Sequence, residues 1–195
     1  MLKVTFTMKS LNMTITLVAP VILALAFVSA RPAPENTETF LDKLINEVNE
    51  ACHFQLVGRD IAPSLLDEID LGLVSHTHLN EKNDKEKLKF VLLSSVKNLT
   101  NALEQVLMSE SASNTTSLVS LVPKAHTIVH DLKGFLHLRQ PLPPAHVDID
   151  ELDQKVETFL KEHGATSLPV VFVRNYVILK ALGINLMHLK EMYSE

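Results

Sequence analysis

Apolar residues fall at Leu41, Leu44, Val48 and Ala51, a three-and-four spacing that predicts one face of a helix over residues 39–54. Thr39 with Asp42 reads as a capping box at its start, and Gly58 as its stop. The clearest stripe is Leu88, Leu92, Val96, Leu99, Leu103 and Val106, on a second helix with Asn83 as N-cap and Glu86 reaching back to it. A third helix carries Leu118, Leu121, Ala125, Ile128, Leu132 and Phe135. It begins near Ser120, with Pro123 in the first turn where its missing N–H costs nothing. A fourth, shorter one runs from Asp148 as N-cap through Ile149, Leu152, Val156 and Phe159 to Gly164, and a last one enters at Ser167, Leu168 and Pro169 and continues almost to Glu195. The run from Val170 to Val173 could be extended, but strand alternation never develops.

The connections then set a topology. About 25 residues separate the first two helices, with one short helical piece over 64–71; a soft segment over 109–117 joins the next pair; the third connection is Pro-rich at 140–144 and carries the fourth helix. Short connections turn neighbouring helices antiparallel, and long ones leave them parallel. The expected fold is all-α: an up-up-down-down four-helix bundle with an extra short helix in the last long connection.

Residues 1–30 are set apart from this pattern. They hold Lys3 and Lys9, no Asp or Glu, an apolar run over 17–28 interrupted by Pro20, and small residues at Val28, Ser29 and Ala30. That is the grammar of a secretory signal cleaved after Ala30, too short in its apolar run for a membrane anchor of ~20 residues. The expected organisation is a signal peptide over 1–30 and one helical domain over 31–195, secreted and without membrane insertion after cleavage. Without Lys3 and Lys9, 16 of the 18 basic residues face 23 acidic ones, so nucleic acid is not an expected partner. A single cysteine, Cys52, excludes an intramolecular disulfide and leaves packing to hold the fold. Cys52 is either a buried inert thiol or one that pairs between chains.

Chemistry-bearing motifs are few. His126 and His130 are four apart with His137 a heptad further on, a spacing able to chelate a transition metal, but that side lies roughly 150° from the apolar stripe and no further ligand closes a site. His76 and His78 sit in a polar loop with less to recommend them. Asp148, Asp150, Glu151 and Asp153 lack the glycine-centred turn of a calcium loop and resemble the acidic first turn of a capped helix. No nucleophile elbow, phosphate loop or paired-cysteine motif is present, so neither a metal, a cofactor nor an enzyme activity is expected. Two sequons begin at Asn98 and Asn114; Asn98 lies about 130° from the stripe of its helix, so a glycan there would point to solvent.

The last helix is the exception to clean amphipathicity. Of the 22 residues over 168–189, fifteen are apolar and they cover nearly every direction. Phe172, Tyr176, Leu179 and Leu186 share one side; Val173, Val177 and Ile184 lie almost opposite. Either set could face the core, and the surplus is either buried under an extra helix or exposed for a partner.

In helix order and loop lengths the chain resembles the long-chain helical cytokines of interleukin-6 type, particularly the leukaemia inhibitory factor and ciliary neurotrophic factor subgroup. The start of the last helix, Val171-Phe-Val-Arg-Asn175, followed by Tyr176 and Leu179-Lys180, carries the residue-level likeness. In that subgroup a Phe-x-x-Lys motif presents an aromatic ring and a charge to the long-chain receptor. Phe172 matches the aromatic; Asn175 replaces the lysine, with Arg174 one residue early. The resemblance implies receptor contacts at Phe172, Arg174 and Asn175, further contacts on the first and third helices, a monomer before binding, and crosslinking of receptors of the interleukin-6 signal-transducer class. A secreted helical carrier of lipid or another small hydrophobic ligand is the competing expectation, the surplus apolar residues then lining a cavity.

Overall fold

The computed structural model describes residues 36–56, 65, 66, 69, 72, 73, 85–113, 122–139 and 141–194. The chain divides at Thr37 into two units, and the helices and contacts below belong to the second, Glu38–Glu195. The leader, the cleavage site after Ala30, Asn83, Asn114, His76 and His78 lie outside the described residues.

Five helices and no strand are present among those residues: α1 Thr37–Leu56, α2 Lys85–Ser113, α3 Val122–His137, α4 Ile149–Glu162 and α5 Val170–Ser194. The class is all-α. The expected stripes become the core. Leu41, Leu44, Val48 and Ala51 of α1, Leu92, Val96, Leu99, Leu103 and Val106 of α2, and Ala125, Ile128, Leu132 and Phe135 of α3 are all buried in one cluster with Ile178, Leu179, Leu182, Leu186 and Leu189 of α5. Burial of this kind, at about 25 cal/mol per Å² of apolar surface, is what stabilises helices too weak to stand alone in water.

Boundaries shift where local signals compete. Helix α1 starts before Thr39, so Asp42 is not a capping partner; its carboxylate meets Lys190 Nζ of α5 at 2.6 Å. Helix α2 extends through the Ser-rich stretch to Ser113, beyond the expected soft start at 109, because Val106 and Leu107 are still anchored in the core. The β-branched run at Val170 to Val173 is helical, its first turn tied by the Phe172 N–H to the Pro169 carbonyl at 3.0 Å. For α4 the sequence reading holds closely. Asp148 is its N-cap and accepts from the N–H groups of Asp150 and Glu151 at 3.0 and 3.1 Å. Gly164 closes it with φ +66°, a left-handed conformation that costs an L side chain energy and glycine none.

Ion pairs at the rim of the core show how the helices are paired. Lys43 meets Asp131 and Glu50 meets Lys124, so α1 and α3 run in opposite directions. Against α5, Asp42 meets Lys190, Gly183 lies opposite Val48 and Asn49, and the Cys52 thiol lies 3.8 Å from the Tyr176 carbonyl oxygen, again an opposed pair. Helix α2 packs on α3 and α5, with Glu104 bound to Lys133 and Lys97 bound to the carbonyls of Leu142 and Pro143 beyond the end of α3.

Candidate functional site

The all-round apolar character of α5 has a structural cause: it is packed on two sides. One side supplies Leu179, Leu182 and Leu186 to the main core. The other places Val173 and Val177 in a second cluster with Val156 and Leu160 of α4 and with Leu66 and Ile69 from the 64–71 piece. By length and hydropathy α5 could cross a membrane, yet 67% of its most apolar stretch is buried against its neighbours. The two alternative phases of this helix are thus both partly realised, with Val173 and Leu179 buried together.

This double burial decides where the expected receptor contacts stand. Phe172 and Tyr176 are half-buried at the edge between the two clusters, and Val171 beside them is 39% exposed. Arg174 and Asn175 do not stand at the surface: they are 4% and 2% exposed. Arg174 Nη1 donates to both carboxylate oxygens of Asp153 of α4, 3.1 Å to Oδ1 and 2.9 Å to Oδ2, and Nε donates to Asn175 Oδ1 at 3.2 Å. The expectation that these two side chains face a receptor is corrected by that geometry. With Val173 and Val177 in the second cluster, position 174 falls 100° round the helix on the flank that meets Asp153 of α4, and Asn175 a further 100° on, on the side of Leu179 and Leu182; at the start of α5 Val171, Phe172 and Tyr176 keep surface in water.

The partner of Arg174 is a residue the sequence reading left in a generic acidic turn. Asp153 follows Leu152 and precedes Val156, on the flank of the apolar stripe of α4, and that position carried the signal. Two aromatic contacts complete the corner: Phe159 and His163 stack with ring centroids 4.0 Å apart, and the Lys180 ammonium lies 5.9 Å from the Tyr176 ring centroid while donating to the Leu66 carbonyl at 3.3 Å.

His126, His130 and His137 are exposed along α3, His130 Nδ1 lying 3.3 Å from Asp131 Oδ1. Among the described residues no group of three His, Cys, Asp or Glu side chains is arranged to hold a metal ion. Asn98 is half-buried and its Oδ1 accepts the His146 N–H at 3.3 Å, so it faces the Pro-rich segment and not open solvent as expected. The third sequon residue, Thr100, is buried and donates to the Val96 carbonyl at 2.7 Å. Cys52 is partly buried, and burial pushes its thiol up from the ordinary 9.0 to about 12, against a weaker opposing pull from Lys180.

A groove of about 440 Å³ lies on the outer face of α1, formed by Asn46, Asn49, Glu50, His53 and Phe54. Phe54 is the exposed aromatic there, with the Lys124 ammonium of α3 4.9 Å from its centroid. No protein-family model, no curated protein and no solved structure matches this chain.

Proposed function

We propose that the chain is a secreted helical cytokine that binds and crosslinks cell-surface receptors of the interleukin-6 signal-transducer class, without a catalytic step. The observation that carries the reading is the pairing of the four long helices. Both α3 and α5 touch α1 and α2, and α1 meets each of them in reverse order. With one long connection between α1 and α2 and another, holding α4, between α3 and α5, these contacts support an up-up-down-down bundle.

In this reading one receptor chain docks on the start of α5, where Phe172, Tyr176 and Val171 form an aromatic and apolar edge. Arg174 and Asn175 take no part in contact; Arg174, bonded to Asn175, ties α4 to α5 and so sets the position of that edge. A second receptor chain docks on the outer faces of α1 and α3, where Phe54 supplies an aromatic anchor beside exposed His53 and near Lys124 of α3. Binding energy at such surfaces concentrates in a few aromatic and Arg side chains.

The carrier reading has less support. The apolar surplus of α5 is absorbed by two packed clusters, and the cleft of about 540 Å³ between α2 and α3 is bordered by Lys97, Glu104, Lys133 and Arg139. Capture of purified receptor ectodomains by the chain beginning at Arg31 tests the proposal: two different ectodomains retained together support it, and none retained refutes it.

A further inference from the structure

We propose that the cleft between α2, α3 and the segment over 141–145 docks a sulfated glycan chain, independently of any receptor contact. Two of its cations, Lys97 and Arg139, meet no carboxylate among the described residues. Lys97 donates to two backbone carbonyls, Leu142 at 3.1 Å and Pro143 at 2.6 Å. Arg139 donates to the Tyr193 hydroxyl at 3.1 Å and the Phe135 carbonyl at 3.4 Å, and lies 3.9 Å from the Phe135 ring centroid. All of these partners are neutral. Glu104, the carboxylate of the lining, is taken by Lys133 at 2.5 Å. A chain of formal charge −5 thus gathers unmatched positive charge in a cleft of about 540 Å³.

The basic track extends past the cleft. Lys89 lies 4.0 Å from the Tyr193 ring centroid and Arg139 5.6 Å from the same centroid, so Lys89, Arg139 and Lys97 follow one another along this edge. Lys89 and Lys97 are roughly 12 Å apart along the α2 axis at 1.5 Å per residue. A single small anion cannot bridge that spacing, whereas a linear polymer with a charge on successive sugars can. Nucleic acid fits less well: base stacking needs open aromatic faces, and the rings here, Phe135 and Tyr193, already carry cations. Sulfate groups need only cations and neutral donors, and the Asn101 amide in the lining supplies the latter.

Calorimetric titration of the mature chain with a size-fractionated heparin oligosaccharide at low salt tests this. Binding that weakens log-linearly with salt is expected, and Lys97→Gln together with Arg139→Gln should reduce affinity about tenfold or more and lower the slope by about two. Lys43→Gln, on the outer side of α1, should leave affinity unchanged. Because Arg139 also closes the end of α3, Lys97→Gln alone is measured beside it, with its melting temperature, and should lower the slope by about one. Absence of binding, equal binding by folded Lys97→Gln, displacement by equimolar inorganic sulfate, or tighter binding of single-stranded DNA would overturn the assignment.

Discussion

Arg174 of α5 and Asp153 of α4 form a two-pronged ion pair in which the guanidinium is almost fully buried and the carboxylate keeps one-third of its side-chain surface in water. The asymmetry fixes which partner is more costly to remove. Asp153→Ala strands a buried cation, whereas Arg174→Met leaves a carboxylate that water still reaches. Asp153→Ala is expected to lose ~3 kcal/mol of unfolding free energy, and Arg174→Met less. Urea unfolding of the two variants measures this, and a larger loss for Arg174→Met would contradict the burial assignment.

The Cys52 thiol offers a second check. Its folded value near 12 exceeds the ordinary 9.0, so the folded state holds the proton more tightly than the unfolded chain. The stability tied to it is full below pH 9 and is lost as pH rises from there toward 12. Wild type should therefore lose urea resistance between about pH 9 and pH 11 more steeply than Cys52→Ala. Alkylation of the folded chain at pH 8 should also be slow, since the thiolate is the reactive form.

Glycosylation should follow exposure. Asn98 is held against His146 and Thr100 is buried within α2, so the folded sequon presents neither its amide nor its hydroxyl freely. Glycopeptide mapping of the chain expressed through a secretory pathway is expected to find Asn98 unmodified. Full occupancy there would show that the sugar is attached before α2 forms and that the segment over 141–148 is displaced.

At the start of α5 the two kinds of apolar residue separate by magnitude. Leu179→Ala, in the main core, should cost ~2–5 kcal/mol, and Phe172→Ala, at a half-exposed edge, about 1 kcal/mol. Thermal unfolding in parallel distinguishes them. Equal costs would place Phe172 in the core and move the candidate contact elsewhere.

The stripes of α1, α2 and α3 were legible because each helix buries a single face, and a spacing of three and four then has one interpretation. The cap at Asp148 and the stop at Gly164 were legible for a similar reason: both are local and answer to backbone geometry alone. Helix α5 was not, since a helix buried on two sides loses its period; the choice between Val173 and Leu179 as core had no answer when both are core. Arg174 and Asn175 were expected at the surface through the resemblance to the Phe-x-x-Lys motif, and only the placement of Asp153 across the α4–α5 contact shows that the charge is satisfied inside. Non-local pairs such as Lys97 with Leu142, or Arg139 with Tyr193, leave no mark on local pattern at all.

The proposed signalling role requires receptor engagement by the edge at Phe172. Surface plasmon resonance with immobilised ectodomains of the interleukin-6 signal-transducer class, comparing the mature wild type with Phe172→Ala, reads it directly. Binding by wild type is expected, with a loss of ~2 kcal/mol or more in the folded Phe172→Ala variant and no loss in Lys97→Gln. No wild-type binding to any of these ectodomains, or full binding by Phe172→Ala, would contradict it.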